Sequence, residues 1–248
     1  MVNNKDDLSW AHPKLKAMLV KECQAMGIEL SLEQVNCFLD YGRVLSAENE
    51  RFNLSAITNP EEIIRKHFVD SLAALPYLPR ETTGLADVGS GAGLPGLALK
   101  IMRPKMKLTL IESVNKKATF LKQTVAKLAL SDVIICPRRA EEVGQDPLFR
   151  EQFPVATARA VAALAVLLEL VLPLVAVGGQ FFAYKGPGVA AELAAAQRAL
   201  KELGGEVTDV KEFSLAGKEQ RTLVVVTKVA PTPAKYPRSP GRPAKRPL

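Results

Sequence analysis

Three glycines at alternate positions, Gly89, Gly91 and Gly93, follow an acid in the stretch Asp87-Val88-Gly89-Ser90-Gly91-Ala92-Gly93. Glycine lets a backbone turn sharply and approach a ligand with no Cβ in the way. A helix starting near Leu94 is expected to aim its first amides at that ligand. Asp87 falls at the carboxyl end of an expected strand, where ligands bind in open α/β sheets. The stretch Gly91-Ala92-Gly93-Leu94-Pro95-Gly96 also satisfies Gly-x-Gly-x-x-Gly, so a dinucleotide site must be weighed. Two features count against it. Pro95 puts a ring where a pyrophosphate needs an open helix start, and an acid before the loop suits an ammonium better than a phosphate. S-adenosylmethionine carries an ammonium and a sulfonium and has no phosphate.

Other residues fall where the same end of the sheet would present them. Glu112 ends the next strand, 19 residues after Gly93, and a carboxylate there can accept both hydroxyls of a ribose. The alternative is a solvated strand-end acid. Ala140-Glu141-Glu142 follows a third strand and could flank an adenine, with backbone groups at Ala140 and Glu141 reading its edge. Arg159 stands alone among alanines and valines at the end of a fourth strand. A buried guanidinium needs a partner, so it either faces the cleft or forms a structural salt bridge. Lys185 ends a fifth strand and could meet RNA phosphate; Arg43, Arg51 and Arg221 are weaker candidates for the same role. Arg159 and Lys185 are the candidate substrate-positioning residues. His67 and Asp70 share a helix face, with His67 expected to pack or to hold the helices over the cleft. No metal site is expected.

Alternating strands and helices position these residues. Strands are expected at Leu85–Gly89, Lys107–Glu112, Asp132–Cys136, Val155–Arg159, Gln180–Tyr184, Glu206–Phe213 and Arg221–Lys228, with helices at Leu94–Met102, Asn115–Leu130, Ala162–Val175 and Val189–Leu203. This pattern predicts a parallel sheet covered on both faces. The last two strands are joined only by Ser214–Glu219, so they form a hairpin and the final strand runs antiparallel at or near an edge. Residues 1–80 read as a helical cap region, 81–229 as the sheet domain and 230–248 as a separate segment. In the cap, Leu15, Met18, Leu19, Cys23 and Met26 recur at helical spacing, as do Val35, Phe38, Leu39, Leu45 and Phe52. Ser31 with Gln34 makes a capping box, and Asn59-Pro60-Glu61-Glu62 starts a helix that ends before Pro76.

Composition narrows the setting. Hydrophobic residues make up 48% of the 248 and charged residues 24%, as in a globular protein with one substantial core. The most apolar run, Val161 to Val177, is broken by Glu169 and Pro173 and suits a buried helix better than a membrane span. No secretory signal opens the chain, so a cytoplasmic location is expected. The three cysteines, Cys23, Cys37 and Cys136, lack metal-like or redox spacing and read as buried free thiols. The net charge is +7. Residues 230–248 contribute Lys235, Arg238, Arg242, Lys245 and Arg246 with no acid, and six prolines exclude regular helix or interior strand. The result is an extended basic arm, which either follows a phosphate backbone or only aids solubility. Its removal is expected to leave cofactor binding untouched.

These residues together resemble the bacterial 16S ribosomal RNA guanine-N7 methyltransferase G family, also called glucose-inhibited division protein B. The resemblance rests on Arg51-Phe52-Asn53-Leu54-Ser55-Ala56-Ile57, His67-Phe68-Val69-Asp70-Ser71-Leu72 and the Asp87–Gly96 stretch. It continues through Arg139-Ala140-Glu141-Glu142, Ala158-Arg159-Ala160-Val161-Ala162, Lys185-Gly186 and Lys235-Tyr236-Pro237-Arg238, spanning residues 30 to 248. It implies a class I S-adenosylmethionine-dependent methyltransferase: a Rossmann-like, seven-stranded sheet with an antiparallel last strand and an N-terminal helical extension. It implies methyl transfer to N7 of one guanosine in the decoding region of small-subunit rRNA; separately, the chain is expected to be a monomer. Cofactor contacts are implied at Gly89, Leu94, Ala140, Glu141 and Arg159, beside Gly91 in the glycine turn and Glu112 at the acidic position. Leu94 stands where many members carry phenylalanine, which preserves apolar contact.

Guanine N7 has an in-plane lone pair and no proton, so the absence of a catalytic triad or acid/base pair is expected. What remains to supply is proximity and orientation. An Asn/Asp-Pro-Pro-aromatic loop for exocyclic amines is missing after the fourth strand, and Cys136 is badly placed as a nucleophile for a pyrimidine. Two competing readings are a nicotinamide-dependent oxidoreductase using Gly91, Gly93 and Gly96, and a non-catalytic RNA-binding protein relying on the basic arm.

Overall fold

The computed structural model describes residues 10–52, 56–215 and 219–248, with the backbone alone at residues 50–52. The side chain of Arg51, the Asn53-Leu54-Ser55 part of its motif and the hairpin turn at 216–218 lie outside the described residues.

Helix α1 (Pro13–Ala25) starts at His12, whose Nδ1 accepts the Lys14 amide at 3.1 Å. Helix α2 (Leu32–Phe52) starts at the expected capping box: the Ser31 amide donates to Gln34 Oε1 at 2.9 Å and the Gln34 amide to Ser31 Oγ at 3.2 Å. Helix α3 (Pro60–Glu62) is capped by Asn59, whose Oδ1 accepts the amides of Glu61 and Glu62. It leads into a π-helical turn, Ile63–Val69, and a 3-10 turn, Leu72–Tyr77. The helix therefore does not stop before Pro76, which lies inside the 3-10 turn. Phe68 from the π turn packs against Phe38 and Tyr41 of α2, with centroids 5.3 and 5.2 Å away. This aromatic group belongs to one hydrophobic cluster with Leu94, Leu97 and Leu108, so the N-terminal helices share their core with the sheet.

The sheet is built from β1 (Gly84–Val88), α4 (Gly96–Met102), β2 (Lys107–Ile111), α5 (Asn115–Lys127), β3 (Val133–Cys136), α6 (Ala140–Val143), β4 (Phe153–Arg159), α7 (Leu164–Val171), β5 (Val175–Lys185), α8 (Val189–Ala195), α9 (Gln197–Leu203), β6 (Gly205–Leu215) and β7 (Glu219–Lys228). The strand order is β3-β2-β1-β4-β5-β7-β6. Strands β1 to β5 pair in parallel, and β7 pairs antiparallel with both β5 and β6. The last strand in sequence is thus one place in from the edge, and β6 is the edge strand. Adjacent Phe181 and Phe182 of β5 feed the clusters on opposite faces, as the period of a strand requires. Helix bounds differ from expectation at several places, α5 ending at Lys127 and not at Leu130. Residues 162–175 become α7 and a 3-10 turn holding Pro173, the expected Val189–Leu203 helix divides at Ala196, and α6 appears unforeseen.

The expected extended arm is corrected most. Residues 231–248 fold back over α7, α9 and the loop after α6, ending in the one-turn helix α10 (Arg242–Lys245). Prolines leave carbonyls without neighbouring amides to bond, and Arg150 takes up those of Thr232 and Tyr236, at 2.7 and 2.8 Å. Arg238 pairs with Glu169 at 2.6 Å, and the glutamate is 1% exposed. The Tyr236 hydroxyl donates to Glu202. A buried carboxylate demands such a cation, which is why the segment cannot simply stay in solvent.

Candidate active site

Strand β1 delivers the glycine turn to the carboxyl edge of the sheet, where the chain changes direction between β1 and β4. Gly89 has φ of +71°, and a Cβ there would stand 2.6 Å from Val161 Cγ2, so only glycine fits under that valine. A Cβ on Gly96 would stand 2.7 Å from Leu110 Cδ2 and 2.9 Å from Asp87 Oδ2. That glycine keeps α4 close to the sheet.

Most amides of the turn are spent internally. Those of Gly89 and Ser90 donate to the Ile111 carbonyl, and those of Gly93 and Leu94 to the Ser90 carbonyl. The Gly91 amide donates to Glu112 Oε2 at 2.9 Å, and the Gly96 amide to Asp87 Oδ2 at 3.1 Å. Helix α4 therefore begins at Gly96, two residues later than expected, and Asp87 satisfies its first amide. The expectation of free helix amides aimed at a ligand is corrected by these bonds. Asp87 is corrected too: its carboxyl is fully buried, with the Thr157 hydroxyl donating to Oδ1 at 2.9 Å. It braces the turn from beneath. Burial pushes its pKa up to about 6 against the three hydrogen bonds that favour the ionised form.

A cavity of 260 Å³ opens beside this turn. Gly89, Glu112, Ala140 and Glu141 line it with the apolar side chains of Val88, Ile111, Val161, Val166 and Leu170. Four of the expected cofactor residues are thus brought together. Gly91 joins through its bond to Glu112, whose other oxygen accepts the Val114 amide at 2.8 Å. Leu94 is not on this cavity; it is 6% exposed and packs into the core under the N-terminal helices. Among the lining residues that had no signal in the sequence are Gly241 and Ala244 of the C-terminal segment. The Gly241 amide donates to Glu141 Oε1 at 2.8 Å, joining positions 100 residues apart.

A second cavity, 360 Å³, lies across Ala160–Val161 from the first and receives Lys66, His67, Asp70, Arg159, Lys185 and Arg221. Arg159 makes a 2.7 Å ion pair with Asp70 and donates to the carbonyls of Lys66 and His67 at 3.3 Å. The structural alternative weighed for it is present, yet the residue still borders the cleft. Arg221 approaches the other Asp70 oxygen at 3.5 Å and pairs with Glu219 at 2.7 Å. Burial raises the Asp70 pKa despite the two arginines. Lys185 spends its ammonium on Glu192 at 2.6 Å and on the Ala162 carbonyl at 2.8 Å, which ties down the loop after β4. Burial, with Arg159 beside it, pushes the His67 pKa down to about 4, so the imidazole is neutral at physiological pH. Arg43 lies outside both cavities, paired with Asp40 on the exposed face of α2.

The thiols of Cys23 and Cys37 are pushed up to about 12 and about 11 by burial, and that of Cys136 is raised for the same reason. None has thiolate character. Among the described residues there is no group of three or more His, Cys, Asp or Glu able to hold a metal, and no helix is long and apolar enough to cross a membrane.

The family described as GidB, rRNA small subunit methyltransferase G, matches residues 34–224. Ribosomal RNA small subunit methyltransferase G of Roseiflexus sp. (strain RS-1) is 49% identical over 231 residues, covering 93% of this chain and 99% of that protein. The protein of the same name from Alkaliphilus metalliredigens (strain QYMF) is 46% identical over 236 residues, covering 94% of this chain and 98% of its own. Among solved structures, a ribosomal protein L11 methylase from Lactobacillus delbrueckii subsp. bulgaricus superposes with a TM-score of 0.51 at 14% identity, over 66% of this chain and 79% of that one. This last likeness is one of fold alone: the seven-stranded sheet with its antiparallel β7 is that of class I methyltransferases.

Proposed function

This chain belongs to the rRNA small subunit methyltransferase G family, and from that premise we propose that it moves a methyl group from S-adenosylmethionine to N7 of a guanosine in 16S rRNA. The observation that carries the cofactor reading is how few amides of the glycine turn are left for a ligand. A pyrophosphate needs free backbone N–H groups, and those of Gly89, Ser90, Gly91, Gly93, Leu94 and Gly96 are already bonded within the protein. What faces the 260 Å³ cavity instead is the Glu112 carboxylate among apolar walls, a lining suited to a nucleoside. A ribose would accept its place at Glu112, and the adenine would lie by Ala140 and Glu141. This volume is below the roughly 300–1,000 Å³ of a complete small-molecule site. The methionyl end therefore extends past Gly89 toward Arg159.

When bound, S-adenosylmethionine supplies a sulfonium methyl that the unprotonated N7 of guanine accepts without a base. The chain's own part is positioning. The cavity over the π turn, bordered by Arg159, Tyr184 and Lys185, receives the base. A-form duplex hides N7 in its deep groove, so the base comes from a loop or an irregular element. Neutral His67 is no acid at physiological pH, so the imidazole does not compete with the methyl group by protonating N7. The protein acts where rRNA is assembled, in the cytoplasm.

Two measurements test this. Calorimetry with S-adenosylmethionine and with NAD is expected to show binding of the first; binding of NAD alone would overturn the reading. Mass mapping of small-subunit rRNA from cells lacking the gene is expected to show one N7-methylguanosine missing, restored by this chain but not by Gly89→Asp. If the modification persists unchanged in those cells, the enzymatic reading fails.

A further inference from the structure

We infer that the C-terminal segment, residues 231–248, is part of the cofactor site and forms the outer wall of the adenosine pocket. The inference rests on the proposed cofactor reading and goes beyond it. Gly241 and Ala244 line the same cavity as Glu112 and Ala140, although no pattern within the segment announces a ligand. Gly241 adopts φ of +80°, which turns the chain inward so that its amide meets Glu141. Glu141 is 8% exposed, and this bond ties its carboxylate to the C-terminal segment at the edge of the pocket.

The segment is held from several sides. Arg238 donates through Nε and Nη2 to both oxygens of Glu169, and its backbone amide bonds the same carboxylate at 2.8 Å. Arg150 grips the carbonyls of Thr232 and Tyr236, and Gln145 donates to the carbonyl of Pro237 at 2.8 Å. A bidentate, buried arginine pair of this kind fixes geometry as well as contributing energy. A mere solubility tail has no use for it. The basic side chains of Arg242, Lys245 and Arg246 line a separate, outward hollow, so the segment presents glycine and alanine to the pocket and charge to solvent.

If docking of the segment completes the pocket, binding and docking are coupled and each strengthens the other by the same factor. Trypsin reads the docking, since it cuts after Lys235, Arg238 and Lys245 but not after Arg242 or Arg246, which precede proline. The probe is S-adenosylhomocysteine, at saturation and without RNA. Cleavage at those three sites in the intact chain is expected to slow about tenfold or more. A chain ending at Thr232, carrying Glu169→Gln so that no unpaired charge is buried, is expected to bind the probe more weakly by that same factor in calorimetry.

Unchanged cleavage in an intact chain that binds the probe would overturn the inference and leave the cofactor reading standing. So would a shortened, natively folded chain with affinity within twofold of the intact one. Should the shortened chain fail to fold, the cleavage rates of the intact chain decide alone. An intact chain that binds no probe at all would overturn both.

Discussion

Two buried side chains with displaced pKa values pull the stability of this protein in opposite directions. Asp87 ionises near 3.8 in an unfolded chain and at about 6 in the folded one, so folding favours its neutral form. Stability from this group is fully present below about pH 4 and is lost as pH rises through 6. His67 has its folded pKa lowered to about 4 from 6.5, so its contribution is present above 6.5 and is lost as pH falls toward 4. Each displacement amounts to on the order of 3 kcal/mol, and between pH 4 and 6 the two oppose each other. Asp70, also raised by burial, acts in the same direction as Asp87, so urea unfolding at pH 4.5 and 7 is expected to give the native protein a slope between those of the two single variants. His67→Gln should become less stable on going from pH 4.5 to 7, and Asp87→Asn should become more stable. Parallel slopes for all three proteins would refute both assignments. Glu112 offers a third test at this scale, because its carboxylate both pins Gly91 and faces the pocket. Glu112→Ala is expected to weaken S-adenosylmethionine binding by about ten- to a hundredfold, as loss of charge-assisted bonds worth roughly 1.5–3 kcal/mol implies; an unchanged affinity would remove the ribose role.

The elements were far more legible in the sequence than the side-chain partnerships. Alternation of apolar strands with helical spacing, and the short Ser214–Glu219 link, sufficed for the sheet and for the direction of β7. Glu112 was legible because a strand-end acid after a glycine turn has few other places to be. The aim of Asp87 was not, since a strand's carboxyl end presents both a surface and a core-facing side, and Thr157 and Gly96 lie 70 and 9 residues away. Lys185 looked free because its partner, Glu192, sits across a glycine turn on the next helix. Arg159 and Asp70 join the π turn to β4, and the loss of one partner leaves the other buried. Arg159→Met is expected to cost about 3–5 kcal/mol of stability, whereas Asp70→Leu with Arg159→Met should cost clearly less than that. A double variant as unstable as the sum of the singles, by urea unfolding, would show that the pair is not coupled. π-helical turns tend to occur at functional sites, and here one carries His67 and borders the cleft.

Across the whole molecule, charge and packing are divided between two faces of one segment. Arg242, Lys245 and Arg246 point outward, so replacing all three with glutamine is expected to flatten the salt dependence of RNA binding by about 2–3 in log–log slope. An unaltered slope would mean that these charges meet no phosphate. The sequence could not show this division: the same prolines and basic residues describe a loose tail, and what docks them is Glu169, Glu141 and Arg150, far away in the chain. Strand β7 shows a different dependence on late residues. It fills the place between β5 and β6, pairing with Gln180–Lys185 on one side, yet it leaves the ribosome after both of them. A translation product halted before Glu219 keeps β5, with Phe181 and Phe182, as a bare sheet edge ready to recruit other chains. Premature termination late in this gene would thus yield an insoluble fragment, and quality control would meet it as an aggregate rather than as a slightly shortened enzyme.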